Sequence, residues 1–245
     1  MSPAVTLATA RRVLGQLRHD HRTVALLLLV PSVLLGLLAW VFDASPGVFD
    51  RVGPAMLAVF PFVAMFLVTS VATLRERTSG TLERLLAMPM AKLDLLVGYG
   101  LAFGAVAVVQ AGIATGLAVT VYGMDLAGSV WLLLLVAVVD AVLGMALGLF
   151  VSAFASTEFQ AVQFMPAFVL PQFLLCGLLV PRDSMPDVLH AVSDVLPLSY
   201  AVDAMTHLTT SADVTGWLVA DLAIVAGAGV LALALGAATL RRRTA

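Results

Sequence analysis

The chain has 245 residues, of which 61% are hydrophobic and only 11% are charged, and its mean hydropathy is +1.06. This composition excludes an ordinary soluble domain and predicts an integral membrane protein. The formal net charge of -2 gives no indication of a nucleic-acid partner, and the single cysteine, Cys176, excludes an intramolecular disulfide.

The first segment, residues 1–23, predicts a helix that lies in the membrane interface. Apolar residues recur at helical spacing at Leu7, Ala10, Leu14 and Leu17. Arginines flank that face at Arg11, Arg18 and Arg22. An apolar face bordered by cations is typical of interfacial helices. A disordered basic tail is the alternative.

Six apolar segments follow, each long enough to cross a bilayer as a helix. They are residues 24–42, 52–74, 95–122, 129–155, 159–180 and 217–240. A signal peptide is the alternative for the first, but residues 42–45 offer no small-x-small cleavage site. Prolines within the spans predict kinks, at Pro31, Pro61, Pro166 and Pro171. The predicted fold class is therefore an all-α membrane protein that forms a single transmembrane domain over residues 1–245.

Residues 75–94, RERTSGTLERLLAMPMAKLD, combine cations with a helix signal between the second and third spans. A short amphipathic helix is predicted, with one face formed by Thr78, Leu82, Leu85 and Leu86. Gly80 is expected to open this helix, and Pro89 to end it. A solvated loop that only fixes the topology is the alternative.

Residues 181–216 predict two short amphipathic outer helices, interrupted at Pro197, before the last span. They dock against the bundle or leaflet, or form a small cap without a transport role. Several aspartates accompany His190 and His207 here, but no recognisable ligand spacing is present, so no metal site is predicted.

The distribution of cations predicts the orientation in the membrane. Eleven Lys and Arg residues lie in the N-terminal segment, in residues 75–94 and at the C-terminus, whereas the opposite loops hold only Arg51 and Arg182. By the positive-inside rule, both termini and residues 75–94 are cytoplasmic. The three tryptophans agree, since Trp40, Trp131 and Trp217 all fall at the predicted outer ends of spans.

Three polar residues within the spans are considered as functional candidates. Asp140 is an ionisable group near the middle of the fourth span, and such a residue is a functional hypothesis by default. Gln110 and Gln163 are candidates for substrate contact or for helix packing. Among the glycines at a spacing of four, Gly112/Gly116 and Gly144/Gly148 predict close helix contacts.

Catalytic motifs are absent from the sequence. A P-loop needs G-x-x-x-x-G-K-[ST], and the only lysine, Lys92, lies between Ala91 and Leu93. No Ser/His/Asp or His-Glu-x-x-His arrangement occurs. The chain is therefore not expected to be an enzyme.

Residues 76–85, ERTSGTLERL, together with Pro89 and Gly98, resemble the E-R-x-x-G-T-L-E-x-L…P…G signature of type-2 ABC exporter permeases, especially the daunorubicin-resistance-like group. Residues 196–204, LPLSYAVDA, are similar to the last outer segment of that family. The resemblance covers nearly the whole chain.

This resemblance implies that residues 75–94 form a coupling helix seated on a separate ATPase. The implied coupling residues are Arg75, Glu76, Arg77, Gly80, Thr81, Leu82, Glu83, Arg84, Leu85 and Pro89, with Glu158 in a second, smaller contact at residues 156–158. It also implies a dimer of permeases, most simply a homodimer, with two ATPase subunits in a bacterial cytoplasmic membrane. This chain then binds no cofactor, and ATP and Mg belong to the partner.

The expected function is export of a lipophilic drug, natural product or lipid-like substrate, with lipids or glycans as alternative substrates. An ATP-independent channel or a proton-coupled transporter that uses Asp140 is the main rival. A structural membrane protein that anchors a cytoplasmic partner is a third interpretation.

Overall fold

A computed structural model describes residues 2–81, 92–212 and 216–239, and within these ranges the chain is helical without strands. The helices are α1 (Pro3–His19), α2 (His21–Val41), α3 (Pro46–Thr78), α4 (Lys92–Thr120), α5 (Val130–Val151), α6 (Glu158–Leu175), α7 (Asp187–Ser193), α8 (Pro197–Thr210) and α9 (Gly216–Thr239). A 3-10 turn lies at Arg182–Ser184. The predicted all-helical class is confirmed.

Among the described helices, five are long and apolar enough to cross a membrane: His21–Val41, Gly47–Thr78, Val97–Thr120, Val130–Val151 and Gly216–Thr239. They coincide with five of the six predicted spans. Helix α6 occupies the remaining one, but its glutamines and prolines lower its hydropathy. It also ends at Leu175 rather than at residue 180, because Gly177 adopts a positive φ of 93° that a helix cannot continue through.

The core is built around α5, which is buried along most of its length between α3, α4, α8 and α9. Gly144 and Gly148 face the backbone of α3 at Phe62 and Phe66, so closely that a Cβ atom on either glycine would collide with a carbonyl oxygen. This pair makes the predicted close helix contact. The other predicted pair does not, since a Cβ on Gly112 or Gly116 would meet nothing within 4 Å.

Helix α1 packs against the first turns of α4. It buries Thr6, Thr9, Ala10 and Val13, and an added Cβ on Gly98 would lie 2.6 Å from the Cβ of Thr9. Of the predicted apolar face of α1, Ala10 is buried, whereas Leu7 and Leu14 are exposed. Small residues replace leucines at the contact because the two helices approach each other closely there.

The segment predicted to lie outside, between α6 and α9, is fixed by one arginine. Arg182 forms ion pairs with Asp194 and Asp203, and its guanidinium lies 4.9 Å from the ring centroid of Tyr200. Helix α8 is buried against α3 and α9, whereas α7 exposes Val188 and other apolar side chains. The two short helices thus differ, and only α8 is part of the core.

Candidate functional site

The last turn of α3 carries Arg75, Glu76 and Arg77, the first of the predicted coupling residues. The sequence places them at the start of a separate segment, but α3 continues through them to Thr78. Because successive residues of a helix point about 100° apart, the three side chains reach three different neighbours. We call these residues and their partners the α3 clamp.

Glu76 binds α1. The Nη1 and Nη2 atoms of Arg12 donate to its carboxylate over 2.7 and 3.2 Å, and Arg12 Nη2 also donates to the hydroxyl of Tyr99 on α4 over 3.0 Å. The side chains of Arg12 and Glu76 are only 27% and 13% exposed. The Arg12–Glu76 ion pair therefore links α1 to α3, and the bond from Arg12 to Tyr99 extends this link to α4. The sequence pattern does not single out Arg12 or Tyr99 as site residues.

Arg75 binds the start of α6. Its Nε and Nη2 atoms donate to the carboxylate of Glu158 over 2.7 and 3.1 Å, in a bidentate arrangement. The hydrogen bond from Arg75 lowers the pKa of Glu158. Two predicted contact points that lie 83 residues apart are thus joined directly.

Arg77 binds the end of α5. Its Nη1 atom donates to the backbone oxygen of Ser152 over 3.0 Å, which satisfies a carbonyl beyond the last turn of α5. A cation at this position also complements the negative end of the helix dipole. With this bond, the end of α3 is tied to α1, α4, α5 and α6.

The chain leaves α3 through Ser79 and Gly80. Gly80 has a φ of 71°, a left-handed conformation that glycine adopts without strain, and it ends α3. The residue directly after it, Thr81, is helical. The hydroxyl of Thr81 lies 3.0 Å from that of Ser79. The remaining predicted coupling residues, Leu82, Glu83, Arg84, Leu85 and Pro89, lie outside the described residues.

The Arg75–Glu158 ion pair should be weak, because its side chains are 55% and 52% exposed. Glu158→Gln is expected to lower the free energy of unfolding by less than about 1 kcal/mol at neutral pH. Since the pKa of Glu158 is lowered in the folded state, this contribution is present above the ordinary carboxyl pKa. It is lost as the pH falls through the folded value.

Denaturant unfolding of the wild type and of Glu158→Gln at neutral and acidic pH measures this difference. Asp43→Asn is the matched control, since Asp43 is exposed and has no ion pair in the part of the chain that the structure describes. If Glu158→Gln lowers the free energy of unfolding by well over about 1 kcal/mol, or if its effect persists at acidic pH, the ion pair is not weak as assigned.

A groove of about 910 Å³ lies beside the clamp, between α2, α3 and α6. Its wall is apolar and includes Leu27, Val30, Leu34, Val63, Leu67, Val169 and Phe173. Polar residues line one end, at Asp20, Thr23, Arg75 and Glu76. None of the three predicted intramembrane polar residues is among the described residues that line it.

Those three residues are separated in the structure. Gln110 Nε2 donates to the backbone oxygen of Leu27 over 3.0 Å, so this glutamine links α4 to α2. Gln163 is exposed on α6. Asp140 is completely buried in α5, and neither carboxylate oxygen has a hydrogen-bond partner among the described residues. Only Gln110 has a clear packing role.

Asp140→Asn is expected to keep the fold and to reduce transport only moderately. The amide has nearly the same shape as the carboxyl group, and no observed hydrogen bond is lost, so the free energy of unfolding should change by no more than about 1 kcal/mol. Membrane abundance, thermal unfolding and transport of the variant test this. Complete loss of transport with unchanged ATPase activity would instead assign Asp140 to substrate or proton binding.

Comparison with known proteins identifies the family. A family model described as ABC-2 type transporter matches residues 4–209. The chain is 30% identical over 150 residues to the probable multidrug ABC transporter permease YbhR of Escherichia coli (strain K12), which covers 61% of this chain and 41% of YbhR. It is 24% identical over 191 residues to the probable multidrug ABC transporter permease YbhS of the same strain, covering 78% of this chain and 51% of YbhS.

A eukaryotic relative is also similar. ABC transporter G family member 20 of Dictyostelium discoideum is 28% identical over 159 residues, which covers 65% of this chain and 22% of that protein. The chain thus spans about half or less of the length of these relatives. Because the family model covers well over half of the chain, including the α3 clamp, the chain belongs to the ABC-2 type transporter family of membrane permeases.

Proposed function

We propose that this chain is the permease subunit of an ATP-driven exporter, which moves a lipophilic drug, natural product or lipid-like substrate out across the cytoplasmic membrane with a separate ATPase subunit. The observation that carries this proposal is the α3 clamp. Three consecutive residues, directly before the segment expected to meet the ATPase, are bonded to α1, α5 and α6.

The clamp supports a route for the mechanical step. ATP-driven closure of the partner would move the segment after Gly80, which is joined to the end of α3 at Thr78 by only Ser79 and Gly80. The clamp bonds would pass the displacement to α1, α4, α5 and α6. ATP can shift the transporter between two states only if the complex binds it differently in each state.

In this proposal α6 completes a set of six spans, and the cation distribution supports a cytoplasmic location for both termini. Two copies of the permease, with two ATPase subunits, would then form the transporter. The apolar groove between α2, α3 and α6 would form part of the substrate path, because its wall suits a lipophilic molecule.

A proton-coupled transporter is the second candidate function. The specific observation in its favour is the buried carboxyl group of Asp140, without a hydrogen-bond partner in the described ranges. Transport by the isolated permease, driven by a proton gradient and lost in Asp140→Asn, would favour this candidate over ATP-driven export.

Co-purification with the ATPase tests the exporter proposal. Glu83→Lys reverses a charge on the expected docking surface, and like-charge juxtaposition can cost several kcal/mol, so this variant should lose the ATPase while its membrane abundance stays normal. Leu85→Asp places a carboxylate in an expected apolar contact, where burying it is costly. This variant should therefore also lower the abundance of the permease. Normal ATPase binding and wild-type transport by Glu83→Lys would remove the main support for the proposal.

A further inference from the structure

Helix α1 carries a second surface that the clamp does not use. Leu7, Arg11, Leu14 and Arg18 follow one another at spacings of four, three and four, so they form one continuous stripe along the helix. We call it the Leu–Arg stripe. All four side chains are exposed, and Leu7 and Leu14 are 50% and 37% exposed.

The stripe is separate from the packed face of α1. Thr9 and Val13 face α4, and Arg12 turns inward to Glu76. Arg11 and Arg18, in contrast, make no hydrogen bond or ion pair within the part of the chain that the structure describes. The nearby carboxylate of Asp20 is already used, since it accepts bonds from the backbone nitrogen and the hydroxyl of Thr23 over 3.1 and 2.7 Å.

We propose that the Leu–Arg stripe binds the headgroups of anionic phospholipids in the cytoplasmic leaflet. Leucines that alternate with arginines suit a membrane interface, where leucine enters the acyl boundary while guanidinium groups reach the phosphates. Helix α1 is separated from the membrane-spanning α2 by the single residue Asp20, which keeps it close to the membrane surface. This inference goes beyond the proposed function and depends on it only for the cytoplasmic placement of α1.

Lipid bound to the stripe would act on the clamp. Helix α1 is joined to α3 through Arg12 and Glu76, and to α4 through the bond from the Ser2 nitrogen to Asp94 over 2.9 Å. A lipid that holds α1 against the membrane therefore also holds the partners of Glu76 in place. Anionic phospholipid is thus an effector that stabilises the permease and supports its coupling to the ATPase.

The test uses the full-length permease alone, in nanodiscs of phosphatidylcholine with increasing fractions of phosphatidylglycerol. The unfolding temperature of the wild type should rise with phosphatidylglycerol, and the rise should weaken with added salt. Each arginine near an anionic surface contributes about a fivefold gain in binding, so Arg11→Gln with Arg18→Gln should weaken the apparent affinity for phosphatidylglycerol about 25-fold.

Arg51→Gln is the control for the loss of an exposed arginine outside the stripe, because Arg51 lies in a predicted outer loop. Its unfolding temperature should rise with phosphatidylglycerol as that of the wild type does. The proposal is overturned if the unfolding temperature of the double variant rises with phosphatidylglycerol as much as that of the wild type. It is also overturned if added salt does not weaken the rise in the wild type, and this second measurement needs no variant. If the double variant keeps the lipid response but loses the ATPase on co-purification, the stripe is a protein contact instead. Since no ATPase is present in the nanodiscs, failure here leaves the exporter proposal intact.

Discussion

Gly144→Ala is expected to destabilise the permease by about 3 kcal/mol, at the upper end of the usual cost of overpacking. The added methyl group would collide with the carbonyl oxygen of Phe62 and would lie 3.0 Å from its Cα atom. A backbone cannot rotate away as a flexible side chain can, so α3 and α5 must move apart. These helices form the centre of the bundle, and their separation would loosen every contact that depends on them.

Gly148→Ala should behave similarly, since its Cβ would collide with the Phe66 carbonyl oxygen. The two costs should not add, because the first substitution already separates the helices. Gly112→Ala is the matched control: it has the same chemistry and spacing pattern, but open space around it. The free energy of unfolding of Gly112→Ala should stay within about 1 kcal/mol of the wild-type value. Thermal unfolding in detergent measures all three, and equal destabilisation by Gly112→Ala and Gly144→Ala would refute the packing assignment.

These two glycine pairs illustrate what the sequence could predict. Hydropathy predicts apolar helices because each span must be apolar along its own length, and five of them coincide with the predicted positions. Spacing alone cannot distinguish Gly144 from Gly112, because the difference lies in which helix is opposite. Spacing is insufficient for α1 as well. This helix packs on α4 through the close approach of Thr9 to Gly98, and the periodicity of its leucines does not predict that contact.

The α3 clamp could be predicted only in part. A resemblance to a family signature singled out Arg75, Glu76 and Arg77, but it assigned them all to contact with an ATPase. Their partners lie 83, 64 and 75 residues away in the sequence, so no local pattern pairs them. The structure gives Glu76 an internal role, so its assignment to ATPase contact is the part of the prediction that the observed bonds do not support.

Glu76→Gln is the second substitution with a large expected effect. Removing one partner of a poorly exposed ion pair leaves the other charge uncompensated, and this costs 3–5 kcal/mol in fully buried pairs. Arg12 is 27% exposed and keeps its bond to Tyr99, so we expect a loss of about 2 kcal/mol in the free energy of unfolding. Arg12→Gln should cost at least as much, because it leaves the carboxylate of Glu76, which is only 13% exposed, uncompensated and also removes the bond to Tyr99.

A double-mutant cycle isolates the pair itself. With Arg12→Gln and Glu76→Gln combined, both charges are gone, and the coupling energy should be about 1–2 kcal/mol. ATPase co-purification should survive in the double variant, since the expected docking segment lies beyond Gly80. Transport should fall, because the polar link from α3 through Arg12 to α1 and Tyr99 of α4 is lost. Loss of ATPase binding together with a coupling energy near zero would mean that Glu76 contacts the partner, and that its bond to Arg12 contributes nothing to coupling.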